Sequence, residues 1–217
     1  MKTAALYLTD VCETARDSKE AEKKISAIYP EWTPRHTCLL READRLRSLV
    51  AELLLYATLG PREIVREKSG GKPYIAGGPH FSVSHSGNRA MLAVDDEPVG
   101  VDIEKWVEDD YTALAQVAFH KDERILLERA AIEGGFCQGK IFFDIWTLKE
   151  SYLKMLGSGL SRDPTNFAVK IEADTRKADA RVASDPRSRL RLYDVEGYSA
   201  ALCSLRKCPD NFEKVAL

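Results

Sequence analysis

Residues 81–104 read FSVSHSGNRAMLAVDDEPVGVDIE, and the fold follows from how this stretch is punctuated. Three short apolar runs, Phe81–Ser84, Arg89–Val94 and Val99–Glu104, are rich in the residues that fit a pleated, half-buried surface and are predicted as strands. Ser86-Gly87-Asn88 is a hairpin-like link between the first two, and Asp95-Asp96-Glu97-Pro98 turns the chain into the third. In that third run Asp102 and Glu104 alternate with Val99, Val101 and Ile103. Period two therefore places both carboxylates on one face and the apolar side chains on the other.

Upstream, Leu39, Ala43, Leu46, Val50, Leu53 and Ala57 recur at steps of four and three, which predicts an amphipathic helix over Cys38–Leu59 that Gly60-Pro61 stops. Gly70-Gly71-Lys72-Pro73 and Gly77-Gly78-Pro79 then read as loops. Downstream, helical patterning over Tyr111–Ala131 precedes a Gly134-Gly135 break, and a second strong helix over Ile141–Leu156 ends at Gly157-Ser158-Gly159. Strands are predicted at Phe167–Ile171, Leu190–Val195 and Tyr198–Leu205, the last two joined through Glu196-Gly197, while the polar stretch Arg176–Arg191 reads as a solvated loop.

Both parts of the chain thus run from a strong helix into short strands ending in a tight hairpin. Ala90-Met91-Leu92-Ala93-Val94 after one turn resembles Ala200-Ala201-Leu202-Cys203-Ser204 after the other, at an offset of 110 positions (200 minus 90). Taken as an internal repeat, this predicts an α+β pseudo-dimer: two similar subdomains, residues 1–104 and 105–217, each a small antiparallel sheet packed with helices, with the ligand site in the cleft between them.

The chain has 217 residues, 32 basic and 34 acidic side chains, a net charge of −2 and a hydrophobic fraction of 44%. These values exclude a disordered, collagenous or coiled-coil protein and advertise neither a nucleic-acid nor a membrane partner. Five cysteines with no CxxC pair and no zinc spacing read as reduced thiols, which with the absence of a signal-peptide pattern points to the cytoplasm.

Net charge conceals a local feature, because eight carboxylates stand against one lysine between Asp95 and Asp110. Two carboxylates on one strand face repel unless water or a shared cation separates them. Mg²⁺, with waters and a substrate phosphate completing its shell, is one solution for Asp102 and Glu104; a solvated strand face is the other. In Trp146-Thr147-Leu148-Lys149-Glu150-Ser151-Tyr152-Leu153-Lys154, Glu150 and Lys154 are four apart and share a helix face. That pair reads either as a surface salt bridge or, with Trp146 one turn earlier, as groups looking into a partly buried site. Ser84 beside His85 is no hydrolase pair, since strand neighbours point to opposite faces and GxSxG is absent. His85 at a strand end and Lys72 in its glycine-rich loop are candidate phosphate contacts.

Taken together, GKP (71–73), FSVSHS (81–86), VGVDIE (99–104) and WTLKESYLK (146–154), in this order and spacing, resemble the motifs of the 4′-phosphopantetheinyl transferase superfamily, in particular its Sfp-type branch. The resemblance implies a single chain of two pseudo-symmetric halves that is a monomer. It implies transfer of the 4′-phosphopantetheine arm of coenzyme A to a serine of an apo acyl or peptidyl carrier protein, with adenosine 3′,5′-bisphosphate as the other product. By the same resemblance Asp102, Glu104 and Glu150 hold Mg²⁺, Glu150 is also the base for the carrier serine, and Lys154 meets the pyrophosphate. Lys72, Pro73, Ser84 and His85 fall where coenzyme A phosphates and adenosine are held, and Arg47 matches an arginine near the 3′-phosphate. Two departures stand out: Ser82 replaces a frequent asparagine, and residues 30–36 lack the lysines that some members use for the 3′-phosphate. A catalytically inactive module of the same fold and an unrelated Mg²⁺-dependent phosphohydrolase are the competing readings.

Overall fold

The computed structural model describes residues 3–33, 41–65, 71–133, 136–158, 162–171 and 179–217. Strand β1 (Ala5–Asp10) is followed by helices α1 (Val11–Thr14), α2 (Ser18–Ile28) and α3 (Glu42–Leu59), then by β2 (His80–Ser86), β3 (Arg89–Asp95) and β4 (Val99–Lys105). Helices α4 (Thr112–Ala118), α5 (Lys121–Glu133) and α6 (Phe136–Leu156) come next. The chain closes with β5 (Val169–Ile171), β6 (Asp179–Val182), β7 (Asp185–Val195), β8 (Tyr198–Ser204) and β9 (Glu213–Lys214).

All three strands predicted between 81 and 104 form, but they do not share one sheet. β2 and β3 make an antiparallel hairpin closed by Gly87-Asn88, with Gly87 at φ +54°, a left-handed conformation that glycine adopts without steric cost. The first sheet runs β2-β3-β1-β9, antiparallel except for β9, which lies parallel to β1. β4 instead pairs with β8, Val99 opposite Ser204, at the edge of a second sheet ordered β4-β8-β7-β6-β5. The ladder therefore changes sheets at the Asp96–Pro98 turn, ahead of Glu104, and returns to the first sheet at β9.

The internal repeat is visible as topology. β1-β3-β2 and β4-β8-β7 are two three-strand units, each with a two-residue hairpin leading into its central strand. Ala90–Val94 lies in β3 and Ala200–Ser204 in β8, so the resembling segments are the two central strands.

Three apolar clusters stack the molecule in layers. Leu49, Val50, Leu53 and Leu54 of α3 pack with Phe81, Ala90 and Leu92 on the outer face of the first sheet. Its inner face, with Leu6, Leu8, Met91 and Ala93, meets Val99, Val101, Ile103 and Leu202 of the second sheet. Ile145, Leu148, Tyr152 and Met155 of α6 cover that sheet's other face at Leu190, Ala201 and Cys203. Each such side chain contributes about 1.5–3 kcal/mol by leaving water. The order α3, first sheet, second sheet, α6 leaves the carboxylate face of β4 turned toward α6. Gly100 sets how close the two come: a Cβ there would stand 1.9 Å from Ser151 O and 2.4 Å from Met155 N.

Several predicted elements change. The helix over Tyr111–Ala131 breaks at Phe119, whose backbone is extended (φ −109°, ψ 142°) and whose ring is buried. α5 restarts because His120 N donates to Glu123 Oε2 at 2.8 Å, a capping contact that satisfies an end N–H. Within the predicted loop Arg176–Arg191, residues 179–182 and 185–191 are strand, with Ala180, Val182 and Leu190 buried between exposed charges. β1 and α2 had no expectation attached, although Leu6 and Leu8 alternate inward and Asp10 and Asp17 cap the helices after them. Cys38–Leu40, Gly134-Gly135, Gly159 and residues 176–178 lie outside the described residues. Among the described residues no helix is long and apolar enough to cross a membrane.

Candidate active site

Strands β2 and β4 are edge strands of different sheets, and a row of hydroxyls joins them. Ser82, Ser84 and Ser86 occupy alternate positions of β2 and therefore point the same way, toward β4. Val101 N donates to Ser82 Oγ at 3.1 Å, Ser84 Oγ donates to Asp102 Oδ1 at 2.7 Å, and Lys105 N donates to Ser86 Oγ at 3.1 Å. Ser86 Oγ in turn donates to Glu104 Oε2 at 2.8 Å.

Lys154 reaches this seam from the last turn of α6. Its Nζ stands 2.7 Å from Asp102 Oδ1 and 2.9 Å from Ser84 Oγ, so its partner lies across the helix–strand packing and is not Glu150 on its own helix. The Asp102 side chain is only 3% exposed, and its second oxygen, Oδ2, is buried with no hydrogen-bond partner among the described residues. A buried carboxylate oxygen left bare costs about 1–3 kcal/mol or more, which makes this atom a demand for a cation.

Two further carboxylates feel that demand. Glu104 and Glu150 are half-buried, and burial first, then the Asp102 charge, raises both carboxyls above the ordinary range. The Asp102 charge thus makes Glu104 and Glu150 harder to ionise, as like charges gathered in one place do. Trp146 stacks on Phe142 with ring centres 6.0 Å apart and closes the apolar side of this helix. Among the described residues no three His, Cys, Asp or Glu side chains stand close enough to enclose a metal ion by themselves.

Positive charge lies on the opposite flank. Lys72 Nζ donates to Val99 O at 2.5 Å, a neutral acceptor. Burial, then the nearby Lys154 ammonium, pushes Lys72 down to about 8. Pro73 follows it at the mouth of a pocket of about 360 Å³ that Tyr74, Gly77, Gly78 and His80 also line. His85, half-buried, is held below its ordinary value by burial and then by the Lys154 and Arg47 charges. It faces α3, whereas Ser84 faces Asp102, the opposite-face arrangement that the strand period predicts. Arg47 pairs with Asp44 on its own helix while its charge reaches His85. One neighbourhood therefore collects three carboxylates, one with a bare oxygen, and two ammonium groups, of which Lys72 has no anionic partner among the described residues.

Comparison with known proteins decides the family. The family model for the 4′-phosphopantetheinyl transferase superfamily matches residues 98–203. The chain is 32% identical to the 4′-phosphopantetheinyl transferase gsp of Aneurinibacillus migulanus, over 75% of this chain and 70% of that protein. It is 32% identical to the 4′-phosphopantetheinyl transferase psf-1 of Bacillus pumilus, over 83% and 76%, and 29% identical to Sfp of Bacillus subtilis strain 168, over 100% and 97%. The chain belongs to the 4′-phosphopantetheinyl transferase superfamily. It is an enzyme, a phosphopantetheinyl transferase, and its two-sheet α+β architecture is that of this family.

In this phosphopantetheinyl transferase the WTLKESYLK segment (146–154) carries two lysines with opposite fates. Lys154 faces the seam, whereas Lys149 is buried and donates to Glu123 Oε1 and Oε2 at 3.0 and 2.7 Å and to Phe167 O at 2.7 Å. Glu123 also accepts from Val169 N at 2.7 Å and, as described, caps α5. The pair clamps α5, α6 and β5 together. Neither Lys149 nor Ser86 was singled out from the sequence, because both partners are distant in the chain. The one local signal was the His120-x-x-Glu123 spacing of a capping contact.

Proposed function

We propose that this transferase moves the 4′-phosphopantetheine arm of coenzyme A to a serine of an apo acyl or peptidyl carrier protein in a Mg²⁺-dependent reaction. The observation that carries the reading is the bare, buried Asp102 Oδ2 beside Glu104 and Glu150. An all-oxygen donor set suits Mg²⁺, which keeps several waters and takes ligands from substrate phosphates, so a protein site that is open by itself fits. Asp102, Glu104 and Glu150 would hold the ion. When bound, it would draw off charge from the pyrophosphate oxygens.

The chain's own groups supply the rest. Lys154 and Lys72 meet the pyrophosphate as point charges, and their attraction grows as negative charge builds on the leaving oxygen. Ser84 fixes Lys154 and Asp102 through one hydroxyl. His85 and Arg47 take the adenosine 3′-phosphate side, with Pro73 shaping the loop beneath it. Glu150 accepts the proton of the carrier serine as that oxygen bonds to phosphorus. The phosphorus–oxygen bond to adenosine 3′,5′-bisphosphate breaks, and the bisphosphate leaves. We place this chemistry at the seam between an N-terminal half, 1–104, and a C-terminal half, 105–217, in a cytoplasmic monomer whose internal repeat supplies the interface between its halves.

Incubation of apo carrier proteins with the enzyme, coenzyme A and Mg²⁺, read by intact mass, tests the reading. The carrier gains one phosphopantetheine, and excess chelator stops the gain. No mass increase on any of several acyl and peptidyl carriers would overturn it.

A further inference from the structure

We propose that Ser86 is a positioning residue for Glu104, holding that carboxylate in place for a divalent cation. The inference rests on the reading of Asp102, Glu104 and Glu150 as the cation's ligands. Ser86 Oγ accepts the Lys105 N–H at 3.1 Å, so its own hydrogen is left to point at Glu104 Oε2, 2.8 Å away. The hydroxyl is thus oriented by the backbone of the strand that carries Glu104.

Ser86 is itself held firmly. It precedes Gly87, where a Cβ would stand 2.6 Å from Tyr198 Oη and 2.8 Å from Lys105 Cδ, so the β2–β3 turn is pressed against the second sheet. Asn88 N donates to Tyr198 Oη at 2.8 Å and ties the same turn to β8. A serine at the base of a turn fixed on two sides is a rigid donor.

Glu104 needs such a tether. It is half-buried on the strand face it shares with Asp102, where like charges repel. Ser86 is its hydrogen-bond partner among the described residues, and the bond engages Oε2 while leaving Oε1 available. Ser84 has the corresponding bond to Asp102 two residues earlier, shared there with Lys154. Outer contacts that orient a metal-binding carboxylate are commonly worth ten- to a hundredfold in metal affinity.

The test titrates the full chain with Mn²⁺ alone and reads free Mn²⁺ by electron paramagnetic resonance. Ser86→Ala is expected to weaken Mn²⁺ binding about tenfold, Ser86→Thr, which keeps the hydroxyl, to stay within about twofold, and KM for coenzyme A to move less than the Mg²⁺ activation constant in both. Ser82→Ala, in the same row but bonded to the Val101 backbone and to no carboxylate among the described residues, is the structural control and should bind like wild type. Should Ser86→Ala fold poorly, Ser86→Thr and Ser86→Val, matched in shape, make the same comparison. Wild-type binding with unchanged affinity in the hydroxyl-free variant, or equal losses at Ser82 and Ser86, would overturn the inference alone. A wild-type chain that binds no Mn²⁺ would remove the cation reading and this inference with it.

Discussion

Lys154 Nζ and Asp102 Oδ1 meet at 2.7 Å across the packing of α6 on β4, while Asp102 Oδ2 is buried without a hydrogen-bond partner among the described residues. The lysine pairs with one oxygen of the carboxylate and leaves the other bare among the described residues.

Asp102→Asn and Glu150→Gln each remove charge from this cluster without removing volume. Transfer is expected to fall by about a hundredfold or more, since a cation held there would supply several kcal/mol to the transition state. Far-UV circular dichroism should show both variants folded. Full activity in either one would break the site assignment.

Lys72 gives a pH dependence with a definite sign. Its pKa in the folded protein, about 8, lies below the ordinary lysine value, so the ligand-free enzyme loses this ammonium as pH rises through 8. KM for coenzyme A should therefore climb above pH 8, whereas Lys72→Arg, which stays charged, should flatten the climb. Lys72→Ala should raise KM for coenzyme A about tenfold and leave KM for the carrier nearly unchanged. The same shift acts on stability in reverse. Burying the charged form is unfavourable, so this lysine's penalty is full below pH 8 and fades as pH rises toward the value in the unfolded chain.

Gly100→Ala would drive a methyl group into the α6 backbone at Ser151, where no flexible side chain can yield. Overpacking of this kind costs about 1–3 kcal/mol or more, which in a chain of this size is about 2–12 °C of Tm. Scanning calorimetry checks the loss. Since α6 carries Glu150 and Lys154, activity should fall further than stability accounts for at a temperature where the variant is folded.

Lys149→Met leaves Glu123 buried with its charge uncompensated, a change worth about 3–5 kcal/mol. The double variant Lys149→Met, Glu123→Leu removes both charges and should recover much of the lost Tm, read by thermal denaturation. KM for coenzyme A should stay close to wild type in every folded variant. A selective rise would instead make Lys149 a ligand contact.

What the sequence reveals here is what repeats locally. The alternation Val101-Asp102-Ile103-Glu104 puts two carboxylates on one face whatever sheet the strand joins, and the folded chain keeps them there. The stripe through Val50 and Leu53 likewise needs no tertiary knowledge. What escapes is set by distant partners. Lys154 looks like a mate for Glu150 at four residues' spacing, yet the lower-energy partner is Asp102, half-exposed ammonium against buried carboxylate. Arg191 disguises a strand as a loop because its counter-charges, Asp179 and Asp210, arrive from other segments. The halt at Phe119 is equally hidden, since one buried ring and one capping glutamate outweigh a continuous helical pattern. Ser86 shows the limit most clearly: in the sequence it is a turn residue, and only the approach of β4 gives its hydroxyl something to hold.

The serine row has a consequence beyond catalysis. β2 and β4 each end a sheet, and an uncovered strand edge is a template on which other molecules can stack. The serine hydroxyls of β2 meet backbone N–H groups and carboxylates of β4, and so blunt both edges where the strands meet. The seam proposed above for the chemistry is thus also a place where the protein guards itself against its own aggregation, and a substitution that parts the two strands would cost solubility.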